Sequence, residues 1–505
     1  MRVASRAGGL IGIAALSACA AAPPPPPASG IASRPSVSDD TAAAKNFRAH
    51  PPAPEPDVEY VVPIPQTSVL PNGLRLWVIR NRASRVIAAT LVVAGGGTAG
   101  FPNEPPVIFK LLQSSIVNGT STHSGREVFN LMSVHFFLMD TASSDHSFRL
   151  SISAAPPSFD GALEVMRDVA LHPTISVERV ENQRLRLLAA APREADDLVR
   201  TANRNLFAAL YGPGHPFTRA MDPAAPALAK VRRDDVLRAW KETMDPARAT
   251  LIVTGNVDAG AVAVRIEALF GDWKRDPSAS APVPVPPPSP IKARLIVVDR
   301  PGAQQATVRY GAPISAVQAP EHLTDFVAGK LLGGSLSTAV TRKIRDEMGA
   351  TWATGVQQHV DRAGGISWWQ GNVAADQTAA VLNVLDGRVR ELHERGPAAD
   401  ELAAIKVSLT RAQPQLLETS SGIATAFADE AAFDLPPDNP ATFARRLAAI
   451  TPDAVKDQMP DPGAMKAVVV GDLRVLRPSL LALGWGPIEE HDRDGNLIRI
   501  LSAPR

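Results

Sequence analysis

Ten histidines are the residues most able to bind a metal or move a proton near neutral pH. Their spacing builds no zinc site. Neither His-Glu-x-x-His nor His-x-x-Glu-His occurs. Either would set two imidazoles one helical turn apart with a carboxylate beside them. His135 and His146 lie eleven residues apart, with no acidic partner at helical spacing. His215 lies in a Gly-Pro-Gly-His-Pro-Phe loop. Each reads as a solvated or locally bonded imidazole. The single cysteine, Cys19, leaves no disulfide framework and no Cys-rich zinc or iron–sulfur site.

Two further motifs are decoys. Gly95-Gly-Gly-Thr-Ala-Gly100 matches GxGxxG and follows a strand-like run. A dinucleotide site needs a helix N-terminus directly after the glycines to hold the pyrophosphate. Phe101-Pro-Asn-Glu-Pro-Pro106 follows instead, so the glycines read as a turn. Asp492-Arg-Asp-Gly-Asn496 resembles a calcium-loop fragment, but its glycine is misplaced and no glutamate follows at the required distance. Asp-Gly between two apolar runs predicts a hairpin. Trp368-Trp369 reads as one core and one surface residue of a strand.

The elements that carry these residues occur twice. Pro246-Ala-Arg-Ala-Thr-Leu-Ile-Val-Thr-Gly-Asn-Val257 can be laid on Pro462-Gly-Ala-Met-Lys-Ala-Val-Val-Val-Gly-Asp-Leu473 at a constant offset of 216 residues. Both have a proline, a β-branched apolar strand, a glycine turn and Asn or Asp. Helix-like segments precede them, Arg233 to Thr243 and Pro452 to Gln458. Leu74 to Arg80, Val86 to Ala94 and Ser147 to Ala154 read as strands. Phe159 to Leu171 and Val381 to Leu392 have helical spacing. Strands and helices in mixed order, twice over, predict an α+β fold with helices on one face of largely antiparallel sheets. Asp276 to Pro290 is Pro-rich and divides the body into residues 60–275 and 291–505. This joint, 276–290, reads as exposed and unpaired, and so as the most protease-sensitive place in the body.

Residues 1–19 read as an address. Arg2 and Arg6 precede an apolar run from Gly8 to Ala18 that is too short to span a bilayer. Leu16-Ser-Ala-Cys19 resembles the bacterial lipobox, in which Cys19 is lipidated and becomes the first mature residue. Ordinary cleavage after a small residue is the alternative. Ala20, where an aspartate would signal inner-membrane retention, points toward the outer membrane. Residues 20–59, rich in Pro and Ala, form a tether able to reach on the order of 100 Å. The chain has 505 residues, 45% of them apolar and 20% charged. Sizeable cores are therefore possible, and the formal charge of +1 argues against a nucleic-acid binder held by bulk charge.

Over about residues 60–475 the chain resembles the M16 family, the pitrilysin/insulinase-like zinc peptidases and their mitochondrial-processing-peptidase-like relatives. The matching features include Leu70-Pro-Asn-Gly-Leu74, Asn118-Gly-Thr120, Val180-Glu-Asn-Gln-Arg184 and Gly214-His-Pro-Phe217 in the first half. Gly333-Gly-Ser-Leu-Ser337, Ile344-Arg-Asp-Glu-Met-Gly349 and Val468-Val-Val-Gly-Asp472 continue them. Their order and spacing carry the resemblance. It implies two homologous halves of the LuxS/MPP-like metallohydrolase fold, each of two similar α/β sub-units, in a clamshell around a chamber.

In active relatives an inverted His-x-x-Glu-His motif lies shortly before the Gly-Thr. Two histidines bind zinc, the glutamate deprotonates its water, and a distal glutamate completes the site. By this resemblance the motif falls on Lys110-Leu-Leu-Gln-Ser114. Lys110 brings a cation, Gln113 cannot act as base, and Ser114 is a poor ligand. The distal glutamate falls on Ala189 or Ala190, with Glu194 one turn further on. The Arg and Tyr that assist from the second half fall on Ala339 and Trp352. The resemblance thus implies no catalytic residues, no cofactor, and zinc only if the rival reading of an active metallopeptidase holds. The expected role is a binding or partner subunit at the bacterial envelope. Its expected partner is an M16 subunit that keeps its metal site, with a peptide as a further candidate ligand. A free-standing envelope scaffold is the third class.

Overall fold

The computed structural model describes residues 60–222, 224–280, 282–335 and 338–502. Residues 60–505 form one compact unit. Cys19 and the tether lie outside the described residues.

The first half is built on a six-stranded sheet. Its strands are β1 (Gln66–Val69), β2 (Arg75–Arg80), β3 (Ile87–Ala94), β4 (Phe137–Ser143), β5 (Ser147–Ala154) and β6 (Ala249–Gly255), in the order β1-β2-β6-β3-β5-β4. The second half carries β7 (Leu295–Asp299), β8 (Gln305–Ile314), β9 (Thr354–Asp361), β10 (Gly364–Ala374), β11 (Lys466–Gly471), β12 (Ile488–His491) and β13 (Leu497–Leu501). Their order is β13-β12-β7-β11-β8-β10-β9. The repeat read from the sequence is therefore a repeat of wiring. β2-β6-β3-β5-β4 and β7-β11-β8-β10-β9 have the same order, and in each the late strand inserts parallel to the first. The α+β class and the two-half plan stand, and each half carries one continuous sheet.

The halves differ at one edge. In the first, β1 runs antiparallel to β2. In the second, the chain's end supplies β12, parallel to β7, and folds back as β13. The turn between them is the Asp-Gly hairpin. The Asp492 carboxylate accepts from the backbone N–H groups of Asp494 and Asn496.

The central strands are apolar on both faces because both faces are covered. In β3, Ala89, Leu91 and Val93 face the helices of their own half. Ala88 and Val92 face the opposite way, onto a helix of the other half. That helix, Ser420–Ala432, lays Ile423, Ala424, Phe427, Ala428 and Ala431 on β3 and β6. The loan is reciprocal. The helix Leu198–Tyr211 of the first half lays Ala202, Leu206, Phe207 and Leu210 on Ile296, Val298, Val468 and Val470 of the second sheet. Each half thus completes the core of the other.

This covering corrects the reading of Trp368-Trp369. Both are buried. Trp369 enters the core of the second half, while Trp368 meets Phe207 of the lent helix edge-on at 5.7 Å. A strand covered on both faces has no surface side.

The proline-rich joint is exposed over most of its length but not unpaired. Val283 N–H donates to Gly100 O at 3.0 Å and Ser289 N–H to Tyr211 O at 2.9 Å. His215 Nε2 meets Pro286 O at 3.0 Å. Between joint and halves lies a cavity of about 380 Å³, lined by Gly95, His146, Pro282 to Val285 and Asp361 to Ala363.

Candidate functional site

The positions on which the resemblance would place a metal motif sit on helix α1, Val107–Ser115. Pro105-Pro106 precede it, and proline suits a helix start, where its missing N–H costs nothing. Ile108, Leu111, Leu112 and Ser115 turn inward, as the amphipathic spacing requires. Asn118 and Gly119 end the segment. Asn118 Nδ2 donates back to Ser114 O at 2.6 Å, and Gly119 has φ +128°, a conformation that favours glycine. Thr120 Oγ1 then donates to Asp168 at 2.7 Å. The Asn-Gly-Thr run thus anchors the chain after the helix.

Each candidate side chain has a place. Lys110 is exposed. Gln113 Nε2 donates to the carbonyl of Thr141 on β4 at 2.7 Å, and Thr141 Oγ1 donates to the Gln113 carbonyl at 2.9 Å. Ser114 Oγ donates to Leu111 O within its own helix at 3.1 Å. Ala190 lies on helix α2, Val177–Ala195, which packs against α1. The two helices named by the resemblance pack against each other, and their side chains make no ligand set. An ammonium, an amide, a hydroxyl and a methyl group offer no imidazole or carboxylate to a zinc ion, so these residues do not fit it. Among the described residues, no group of three or more His, Cys, Asp or Glu side chains is placed to hold a metal.

The assisting positions belong to the second half. Ala339 opens a short helix, Ala339–Thr341, that runs into a π-helical stretch, Arg342–Glu347. Trp352 follows in the connection to β9 and is 87% exposed. Neither offers a guanidinium or a phenol to a carbonyl oxygen.

The decoys resolve as turns. No helix starts at Gly95 to Gly100. A Cβ on Gly97 would lie 2.0 Å from Ser144 O, so glycine there permits close approach to the β4–β5 hairpin. His215 is buried. Its Nδ1 accepts from Phe217 N–H, and burial lowers its pKa.

Two features escaped the sequence reading. One is a charged seam between the halves. Asp434, with φ +54°, accepts from Arg75 of the first half at 2.6 Å and pairs with Arg362 of the second at 2.8 Å. Beside it the His146 ring packs tilted against Phe433, with centroids 4.1 Å apart, and burial pushes its pKa down to about 3. No motif marks such a seam, because its members are far apart in sequence. The other is an exposed apolar corner where α1's neighbour, the helix Gly125–Val134, meets β4. It carries Phe129, Val134, Phe136 and Leu138. Phe136 is 85% exposed at φ +50°, an outlier for a bulky residue. His135-Phe-Phe137, a sharp turn with no glycine or asparagine, is the signal that could have shown it.

Residues 230–409 match the family model described as the peptidase M16 inactive domain. Over those residues the chain is similar to the M16 family. The described body as a whole has the M16 fold. It superposes on the peptidase M16 inactive domain from Pseudomonas fluorescens with a TM-score of 0.74 and 16% identity, covering 81% of this chain and 98% of that one. A protease from Helicobacter pylori gives 0.73 at 16% identity, with 82% and 100% covered. The periplasmic protease PqqL from Escherichia coli gives 0.70 at 14% identity, with 83% of this chain matched to 46% of that one. No curated protein matches in sequence.

Proposed function

We propose that this protein is a non-catalytic M16-like protein of the bacterial envelope, held by a lipid on Cys19, that acts as a binding or partner subunit. One observation carries the reading. At the place of the metal motif, helix α1 presents Lys110, Gln113 and Ser114, and the Gln113 amide is bonded to the backbone of β4. A carboxylate base at that place would need to reach a metal-bound water. Here the side chain supports a strand edge instead.

The envelope assignment rests on the lipobox-like Leu16-Ser-Ala-Cys19 and is supported by likeness to a periplasmic M16 protease. Among the described residues no helix is long and apolar enough to cross a membrane. Ala20 favours the outer membrane. The proposed partner is an M16 subunit that retains its metal site, with a peptide as a further candidate ligand.

The test is metal analysis together with a peptide-cleavage assay on the unmodified protein. The expected result is substoichiometric zinc and no chelator-sensitive hydrolysis. One zinc per chain with chelator-sensitive turnover would establish the rival reading, an active metallopeptidase with its site elsewhere. Purification from native membranes, with identification of co-purifying proteins, tests the partner.

A further inference from the structure

A cavity of about 260 Å³ lies where the helix Leu198–Tyr211 of the first half meets the second sheet. In that sheet β11, β7 and β12 run side by side and parallel. Val470, Asp299 and His491, at or next to the last residues of these three strands, all line the cavity. It therefore sits at their carboxyl ends, where the crevices of α/β sheets take up ligands. Water occupies about 30 Å³ per molecule in the liquid, so the space suits a small organic molecule better than a lone ion.

The polar groups around it sort into occupied and unoccupied. Asp492 is occupied within its own turn, by Asp494 and Asn496. Arg300 and Asp196, one from each half, pair with each other at 3.6 Å. Asp299 accepts from Leu473 N–H through Oδ1 at 2.9 Å, and its Oδ2 has no partner among the described residues. The exposed guanidinium of Arg493 has none there either. His491 is 2% exposed. Its Nε2 meets the Glu489 carboxylate at 2.8 Å, which leaves its buried Nδ1 without a partner. One carboxylate oxygen, one guanidinium and one imidazole nitrogen thus remain. Leu198, Val298, Val470 and Ile498 make the aliphatic part of the wall.

We propose that this cavity binds a small aliphatic zwitterion, an ammonium and a carboxylate on one branched skeleton, as a free amino acid or a short peptide offers. Charge selects the ligand. A simple anion would pair Arg493 and bring its charge beside Asp299, and a simple cation would meet the converse conflict. A zwitterion pairs both, through charge-assisted bonds, which are the stronger kind. The Nδ1 of His491 suits either end, since an imidazole nitrogen accepts when bare and donates when protonated. The aliphatic wall takes the side chain out of water. Asp196 and Leu198 belong to the first half and the other lining residues to the second, so a bound ligand touches both. The site does not depend on the non-catalytic reading above.

The experiment is calorimetric titration of the full chain with L-leucine and with its two half-molecules. Isocaproate lacks the ammonium and isopentylamine lacks the carboxylate. L-leucine should saturate a single site, with each half-molecule about tenfold weaker or silent. Leu-Gly and Gly-Leu separate the two sources. Weaker binding of both assigns the site to a free amino acid, and tighter binding of either assigns it to a peptide. Asp299→Asn keeps an acceptor for Leu473 N–H, and should reduce L-leucine to the affinity of isocaproate. Arg493→Gln should reduce it to that of isopentylamine. A substitution that merely loosened the fold would weaken all probes alike. The half-molecule comparison on the unmodified chain needs no variant to fold. Three results overturn the proposal: no saturable binding of L-leucine or either dipeptide, a half-molecule that binds the unmodified chain as tightly as L-leucine, or L-leucine affinity unchanged by both substitutions.

Discussion

Gln113 and Thr141 hold each other twice, amide to carbonyl at 2.7 Å and hydroxyl to carbonyl at 2.9 Å. The pair ties helix α1 to the outer strand of the first sheet. Gln113→Glu, the change that would restore a base, removes the donor and sets carboxylate oxygens against the Thr141 carbonyl. The expected cost is about 1–3 kcal/mol of stability at neutral pH. It should shrink in acid, where the protonated carboxyl can donate again. Denaturant titration of both proteins at pH 7 and pH 4 checks this. An unchanged midpoint at pH 7 would mean that the bond does not matter to the fold.

Phe427 reports on the lent helix. It is fully buried and meets Trp77 of β2 edge-on, with centroids 6.5 Å apart at 90°. Removing a buried aromatic ring costs about 3–5 kcal/mol. Because this ring belongs to the second half and its contacts to the first, Phe427→Ala should lower a single transition shared by both halves. Calorimetry distinguishes the cases. A variant in which the second half alone melts early would show that the exchanged helix does not couple them.

The wiring of the two halves was legible because β6 and β11 carry the same apolar run at a fixed offset, and apolar periodicity reports burial. The exchanged helices were not. Ser420–Ala432 is a string of small residues whose pattern says that it is buried, but not against which sheet. The same gap explains Trp368, whose second covering layer comes from the other half. At the candidate site, the chemistry of Lys110, Gln113 and Ser114 was legible residue by residue. The bond from Gln113 to Thr141 was not, since it joins a helix to a strand 28 residues on and depends on tertiary placement.

Glu430 should make stability fall as pH rises. It sits near the end of the lent helix, where burial pushes its carboxyl up to about 7, from an ordinary value of 4.5, against the opposing hydrogen bond from Asn439. The unfolded chain gives up this proton near pH 4.5 and the folded chain near pH 7. Between those values unfolding releases a proton, so this contribution is full below pH 4.5 and lost by pH 7. Glu430→Gln keeps an acceptor for Asn439 and removes the titration. It should change little at pH 4 and stabilise by up to about 3 kcal/mol at pH 8. An equal effect at both pH values would refute the assignment.

Cys19→Ala tests the anchor. Each buried acyl CH₂ is worth about 0.8 kcal/mol, so several chains hold a protein firmly to a bilayer. The variant should leave the membrane fraction or accumulate unprocessed. Unchanged partition together with unchanged processing would remove the lipid from the account and leave ordinary cleavage as the reading of residues 1–19.

Rebuilding the metal motif tests the placement of the site. Lys110→His, Gln113→Glu and Ser114→His together would put two imidazoles and a carboxylate on α1 in the inverted spacing. Ligand count sets the expectation. A catalytic zinc takes three protein ligands and leaves a position open for water. This triple variant supplies two, because the carboxylate introduced at position 113 serves as the base. It should therefore bind zinc weakly. Ala190→Glu adds a carboxylate from α2, the helix packed against α1, and should tighten binding further if residue 190 faces the imidazoles. The loss of the Gln113–Thr141 bond will cost stability in both variants, so a zinc-dependent rise in melting temperature is read within each variant, with and without metal. Stepwise tightening from the triple to the quadruple variant supports the placement. Equal affinity in the two would show that α2 presents residue 190 away from the site.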